Sequence, residues 1–452
     1  MIKYVFIVLL LLLGGVVWHF YPQLMIANGY AAKKICTCTL ANGRDQAIAE
    51  KQHLYFSVLS FVKNEVDTVN QQVKSSFWGL SPQIAQYRPG IGCILLDGND
   101  DYHVAFPDQE VVLANDSLFW PYGSKDLIAS TKGLDQKALL DAVDDAFDVD
   151  GNIDVKRTTA VLVIHNDTLI AEKYAKTFHK DTPQLGWSMT KSFMNTYVGL
   201  LVNEKKLEIQ QKGLFKEWQN DDRKDITLND LLHMNTGLDW EENYAKVSDA
   251  TNMLYKSENI AAIPLSKKIK YPIGTHWYYS SGTSNILSKF LRNHLNDDNH
   301  YLTYLKKNLF NPLQMSSTFI ETDESGTLIG SSYGYGTPRD WAKFGLLYLH
   351  DGVWNGKRLL PEGWTTYTGE EAQGSNGIYG AHFWLNKNGI EYPDAPYDLY
   401  SANGYQGQFV FIIPSRNVVI VRMGTGGEAF DTNLFLKNIL AAIPVISSKI
   451  IN

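Results

Sequence analysis

The chain has 452 residues, enough for two or three folded units rather than one small core. Its hydrophobic fraction of 44% and charged fraction of 20% are ordinary for a folded globular protein. The net charge of −7 is spread without long single-sign runs or a basic stripe, so nucleic acid is excluded as an expected partner.

The chain starts with a membrane-type signal. Lys3 precedes an uncharged apolar run from Val5 to Val17, and Trp18, Phe20 and Tyr21 follow. The run is shorter than an ideal spanning helix, but Tyr4 and the following aromatics extend it toward membrane length. Residues 1–21 therefore read as a cleaved secretory signal or an uncleaved signal anchor. No small-x-small cleavage site directly follows Val17, which favours the anchor. The expectation is a chain attached to the cytoplasmic membrane through this segment. Lys3 would stay cytoplasmic, and the remainder would be exported to the periplasm or outside.

Three cysteines follow: Cys36, Cys38 and Cys93. An oxidising compartment would allow a bridge from Cys93 to Cys36 or to Cys38; three buried thiols are the alternative. No second Cys or His pair stands at zinc-ligand spacing.

Residues 22–150 carry few chemical signals and read as an N-terminal extension. Ala31–Lys34 suggests a short helix, and Gly98–Asp101, Pro107, Pro121 and Gly123 break the middle. The main domain is expected over 151–445, preceded by a helix at Gln136–Phe147. Thr159–Ile164 is β-branched and apolar, Asn166-Asp167 supplies a turn, and Leu169–Tyr174 returns as a second strand. Helical patterns then cover Ser192–Glu204, Leu228–His233, Thr283–Leu295, Tyr301–Leu309 and Pro338–His350. Strands come back at Phe409–Ile413 and Val418–Met423, and a helix at Asn433–Ala442 closes the domain. The fold class is α/β of the α+β kind: one antiparallel sheet made from both ends of the domain, flanked by helices, with a helical subdomain inserted between. A site would fall in a cleft beside that sheet.

Trp187-Ser188-Met189-Thr190-Lys191 places a hydroxyl three residues before an amine. On a helix these positions share a face, so Lys191 can reach Ser188. A serine needs such a base, and Lys191 must either be a neutral amine that accepts the proton or tune another base by its charge. Ser188 at a helix start would also aim free backbone N–H groups at a reacting carbonyl. Ser-x-x-Lys alone is weak, because Ser60-Phe61-Val62-Lys63 matches equally well. The weight comes from company. Pro272–Gly282 contains Tyr279, a phenolate base if a cation lowers its pKa, and Ser281. Ala402-Asn403-Gly404-Tyr405-Gln406-Gly407-Gln408 leads into a strand, and a glycine there permits close backbone approach. The Tyr405 N–H could pair with that of Ser188 as an oxyanion hole. His233 and His276 sit near these motifs, where a lone histidine is more often structural.

In this order the three motifs resemble the serine β-lactamase and penicillin-binding-protein superfamily, in its class C-like branch, over about residues 150–445. Ile226–Leu238, Phe310–Met315 and Asp340–Leu349 are similar too. The subgroup named by the likeness is the 6-aminohexanoate-dimer hydrolases and their esterase relatives, which carry Ser at the position of Ser281 and a Gly-x-x-Gly-Gln run like Gly404–Gln408. The resemblance implies a serine hydrolase that needs no metal or cofactor and acts on a small-molecule or peptide substrate through an acyl-enzyme. It implies Ser188 as nucleophile, Lys191 and Tyr279 as shared base, and the Ser188 and Tyr405 amides as oxyanion hole. Ser281 and Gly404 would support the site, and Tyr244 would contact substrate. Two departures matter. Ala402 stands where the family usually has Lys or His, and Ser281 stands where its β-lactamases keep Asn. Both favour esters, linear amides or short peptides over β-lactams. A cell-wall D,D-peptidase and a non-catalytic binder of peptidoglycan fragments are the rival readings. Pocket shape depends on the loops around Tyr244, Tyr333–Tyr335 and Tyr379–Trp384. Oligomeric state is not legible.

Overall fold

The structure is a computed structural model that describes residues 2–96, 117–125, 129, 132–426 and 429–445. The breaks read at 98–101 and Pro107 lie outside the described residues.

A 35-residue helix, α1 (Ile2–Cys36), opens the chain and continues into a π-turn at Thr37–Ala41. The short helix expected at Ala31–Lys34 is the last part of α1. Next come α2 (Gln46–His53) and four strands, β1 (Val62–Asp67), β2 (Gln72–Phe77), β3 (Leu80–Arg88) and β4 (Gly92–Leu96). Then follow α3 (Gln136–Asp145), β5 (Thr158–His165), β6 (Thr168–Tyr174), β7 (Gln184–Leu185), α4 (Thr190–Asn203) and α5 (Leu228–His233). After these come α6 (Asp249–Lys256), α7 (Ala262–Ser266), α8 (Ser281–Leu295), α9 (Asp298–Leu305), β8 (Phe319–Ile320), β9 (Gly334–Gly336) and α10 (Pro338–Leu349). The chain ends with β10 (Val353–Trp354), β11 (Lys357–Arg358), α11 (Trp364–Thr368), β12 (Trp384–Leu385), β13 (Tyr400–Gly404), β14 (Gln408–Ile413), β15 (Val418–Gly424) and α12 (Thr432–Ala442).

The described chain divides into two compact units: 1–105 with 240–266 and 321–327, and the remaining residues. This division differs from the one read in the sequence, because two later segments join the first unit. In that unit β1–β4 form an antiparallel meander with α1 packed across it. The sequence reading left this sheet unassigned, since its strands mix Gln, Lys and Ser with few apolar residues. Asn28 on α1 ties the helix to the sheet, donating to the carbonyls of Leu80 at 3.0 Å and Ser81 at 2.7 Å. Cys36 and Cys93 are disulfide-bonded, and Cys38 is a free, buried thiol. Lys33 and Glu321, 1% and 0% exposed, form an ion pair at 2.6 Å. The same carboxylate accepts from Thr37 Oγ1 at 2.5 Å and from the Cys93 N–H at 2.9 Å. Desolvation drives the Lys33 pKa down, and Glu321 opposes it. Among the described residues no helix is long and apolar enough to cross a membrane. Most side chains of Val5–Val17 lie outside the described residues.

The second unit is built on a six-stranded antiparallel sheet of order β12-β13-β14-β15-β5-β6. The first and last strands of the domain thus meet at β15 and β5, as the two-ended reading expected. Asn166 and Asp167, both with positive φ, make the tight turn between β5 and β6. The apolar strands bury one face under α3 and α12, where Val161, Ile170, Phe411, Ile420, Leu436 and Ile439 share a core. The other face packs against α10. A small sheet, β7-β9-β8, lies within the same unit.

Candidate active site

Ser188 sits in a 3₁₀ turn, Trp187–Met189, immediately before α4. The turn is strained: Trp187 has φ 48°, a left-handed conformation costly for a bulky residue. Its surroundings over-determine it. Thr190 Oγ1 donates to the Trp187 carbonyl at 2.6 Å and accepts from the Gly334 N–H at 2.7 Å. The Gly186 N–H donates to the Gly334 carbonyl at 2.8 Å. A Cβ on Gly186 would lie 2.3 Å from the Trp341 ring, so only glycine fits beneath α10.

Lys191, on the first turn of α4, is 1% exposed. Its Nζ lies 3.0 Å from Ser188 Oγ, 3.1 Å from Ser281 Oγ and 2.8 Å from the Ser331 carbonyl. Three polar neighbours match either protonation state. An ammonium would donate to all three, while a neutral amine has two N–H donors and one lone pair to receive the Ser188 proton. Ser281 is the first residue of α8, whose N-cap is Ser280. Asn285, one turn on, holds the Ser331 loop through Nδ2 to Ser331 Oγ at 3.0 Å and Oδ1 from the Ser331 N–H at 3.2 Å.

The Tyr279 ring centroid lies 4.8 Å from Lys191 Nζ. The ring packs tilted on Trp384 at 5.3 Å and edge-on to Tyr379 at 5.8 Å. The loop carrying it is propped from α5. Met234 takes positive φ and its carbonyl accepts from the Tyr278 N–H at 3.2 Å; the Asn235 carbonyl accepts from the Gly274 N–H at 2.8 Å.

The third motif reaches the same place. Gly404 ends β13 against the Gly186 carbonyl, and a Cβ there would lie 2.0 Å from that oxygen. Tyr405–Gly407 then form the hairpin loop to β14, since Gly404 pairs with Gln408. The Trp187 ring lies edge-on to Tyr405 and tilted on Tyr333, each at 5.7 Å. Trp187 Nε1 donates to Gln406 Oε1 at 3.3 Å. Ala402, two residues before Gly404 on β13, is buried.

Ser188, Lys191, Tyr279, Ser281, Gly404 and Tyr405 thus converge within one unit. Tyr244 belongs to the first unit, is 53% exposed, and donates to Glu242 Oε1 at 2.7 Å. The competing Ser60 and Lys63 pair is inert: Ser60 Oγ donates to the Ser57 carbonyl, and Lys63, on a strand, pairs with Glu65. His233 packs edge-on to Tyr367 with Nδ1 on the Asn229 carbonyl, and His276 stacks on Tyr271.

One histidine escaped the sequence reading. His382 is buried with Nδ1 2.9 Å from the Lys191 carbonyl and Nε2 3.2 Å from Ser284 Oγ. Desolvation first, then the Lys191 charge, lowers its pKa to about 3. It is a neutral strut under Lys191: Nδ1–H donates to the carbonyl and Nε2 accepts from Ser284. No motif surrounds it, so only the fold could find it. The Ser331 carbonyl was equally hidden, although the neighbouring loop Tyr333–Tyr335 was read as pocket-forming.

The family model of the beta-lactamases matches residues 149–439, nearly two thirds of the chain. The chain belongs to the beta-lactamase family. Solved structures share its fold at low identity. A Bacillus anthracis protein provisionally assigned as a 6-aminohexanoate-dimer hydrolase is 20% identical, covering 74% of this chain and 90% of its own, with a TM-score of 0.56. A penicillin-binding-protein homologue of Caulobacter crescentus is 16% identical, covering 69% and 99%, with a TM-score of 0.55. A family VIII carboxylesterase is 16% identical, covering 70% and 98%, also with a TM-score of 0.55. No curated protein sequence matches the chain.

Proposed function

We propose that the protein is a serine hydrolase that cleaves an ester, linear amide or peptide bond through an acyl-enzyme on Ser188. The observation that carries this reading is the 3.0 Å approach of Lys191 Nζ to Ser188 Oγ, with Ser281 Oγ and the Ser331 carbonyl occupying the amine's other directions. Ser188 Oγ attacks the acyl carbon as its proton passes to the neutral Lys191–Tyr279 pair. The Ser188 and Tyr405 amides receive the developing oxyanion. The tetrahedral intermediate collapses, and the pair protonates the departing alcohol or amine. Water, deprotonated by the same pair, then attacks the acyl carbon; the acyl–Oγ bond breaks, the acid departs, and the pair returns the proton to Ser188 Oγ. Ala402 supports uncharged acyl groups over the carboxylate-bearing β-lactams.

A fluorophosphonate probe tests this reading. Covalent labelling of the wild type that disappears in Ser188→Ala supports it; an unlabelled wild type overturns it and favours the non-catalytic binder. A panel of p-nitrophenyl esters, 6-aminohexanoate oligomers, D-amino-acid amides and a chromogenic cephalosporin then separates esterase, amidase, D,D-peptidase and β-lactamase activity.

We also infer that the chain is exported and held at a membrane by its N-terminal segment. Three features support this. One helix, α1, runs through Val5–Val17, Phe20 and Tyr21 on it are exposed, and Cys36 is bridged to Cys93. Recovery of the full chain in the soluble fraction after cell disruption would refute the attachment.

A further inference from the structure

Arg422, on β15, is 0% exposed, and among the described residues no carboxylate is a hydrogen-bond partner. A guanidinium has five N–H donors, and all are used. Nη1 donates to the carbonyls of Gln406 at 3.2 Å and Gly407 at 2.7 Å. Nη2 donates to the Lys156 carbonyl at 2.7 Å and to Thr158 Oγ1 at 3.0 Å, and Nε reaches the same hydroxyl at 3.2 Å. Its planar face stacks on Phe430, with Cζ 4.1 Å from the ring centroid. Burying a cation this way is costly unless something offsets it.

The offset comes through a peptide group. The Lys156 carbonyl that accepts from Arg422 belongs to the same peptide unit as the Arg157 N–H, which donates to Asp148 Oδ2 at 2.9 Å. Cation, peptide dipole and carboxylate are therefore in line. Asp148 collects three further N–H groups, from Asp154, Val155 and Lys156. These bonds hold its pKa below the usual range although desolvation opposes them.

The loop Arg422 grips is the one bearing Tyr405. Glycines leave room for the guanidinium: a Cβ on Gly407 of this loop would lie 1.9 Å from Nη1, and one on Gly424, at the end of β15, would lie 2.4 Å from it. Gln408 closes the far side, donating through Nε2 to the carbonyls of Tyr405 at 3.1 Å and Gly424 at 2.6 Å. We propose that Arg422 is a positioning residue for the reaction: with Asp148 behind the Lys156–Arg157 peptide, it fixes the Tyr405–Gly407 turn so that the Tyr405 N–H faces the oxyanion. This rests on the proposed role of Tyr405. It adds that a buried charge relay beneath the sheet, rather than the loop's own turn chemistry, sets that amide. No local sequence signal exposes the relay, because residue 422 lies 266 residues from Lys156 in the chain.

The test uses the full chain with Arg422→Gln and, as the milder change, Asp148→Asn, which leaves the guanidinium in place. Two readouts are taken: hydrogen exchange at the amides of 405–408, and steady-state hydrolysis of a p-nitrophenyl ester. For Arg422→Gln we expect faster exchange confined to 405–408, kcat lower by about 10²-fold, the loss of one oxyanion donor, and KM within about threefold. Asp148→Asn should move both readouts in the same direction by a smaller factor, and it carries the test if Arg422→Gln does not fold. Unchanged exchange at 405–408, or a loss seen in KM with kcat kept, overturns the proposal. If the wild type hydrolyses no ester and takes no phosphonate label, the hydrolase reading fails, while the exchange readout still decides whether Arg422 holds the turn.

Discussion

Gly404 and Gly186 touch backbone to backbone: a methyl group on Gly404 would sit 2.0 Å from the Gly186 carbonyl oxygen. Neither atom can yield cheaply, since Gly186 is itself wedged under Trp341. Gly404→Ala should therefore push β13 away from the Ser188 turn. We expect ester turnover to fall by about 10²-fold, the scale of losing one oxyanion donor, with probe labelling slowed in parallel. Wild-type turnover in a folded Gly404→Ala protein would contradict this.

Lys191→Arg keeps the charge but removes any neutral state near pH 7, because a guanidinium does not deprotonate in proteins. If Lys191 receives the Ser188 proton, phosphonate labelling should slow by about 10²- to 10⁴-fold. Circular dichroism would check that the fold survives. Labelling at the wild-type rate would move the base role to Tyr279 alone.

His382 makes the folded state acid-sensitive. Its folded pKa of about 3 lies below the unfolded value near 6.5, so the unfolded chain binds this proton first as pH falls. Its contribution is intact above about pH 6.5 and declines by ~1.4 kcal/mol per pH unit down to about pH 3. His382→Gln keeps a donor and an acceptor without the titration. Urea unfolding at pH 7.5 and 5.0 should show a smaller acid loss in the variant. An identical pH dependence in the two proteins would rule the histidine out as the cause.

The Lys33–Glu321 pair is buried on both sides. Removing one partner leaves the other charge stranded, which costs about 3–5 kcal/mol. Lys33→Met and Glu321→Gln should each accelerate exchange of the β4 amides strongly, and the double variant should recover much of the loss. Additive effects of the two changes would show that the pair is not coupled.

Much of the catalytic unit is written in local pattern. β5 and β14 are largely apolar runs, β15 is apolar but for Arg422, β6 is apolar over Leu169–Ala171, and α10 announces itself with Pro338 after Thr337 and Asp340 as a capping pair. Ser188, Lys191, Tyr279 and Ser281 could be singled out as candidates because their motifs are short and ordered, and their side chains lie in one unit. The meander β1–β4 was missed because one polar face and several Gln and Lys residues hide its alternation. Tyr244 was singled out by motif likeness alone, and it belongs to the first unit. His382, the Ser331 carbonyl and Arg422 act through contacts over 140 to 266 residues of sequence, where no local signal exists.

The first unit is stitched from three stretches of chain, and Glu321 belongs to the last of them. Trimming the protein to the family match at 149–439 would keep Glu321 and discard Lys33, Thr37 and Cys93, the groups that neutralise and solvate its carboxylate. The excised piece would carry a side chain whose hydrogen-bond and ion-pair partners have all been cut away. A minimal version of this protein should therefore either retain the leading hundred residues or replace Glu321, for instance by glutamine.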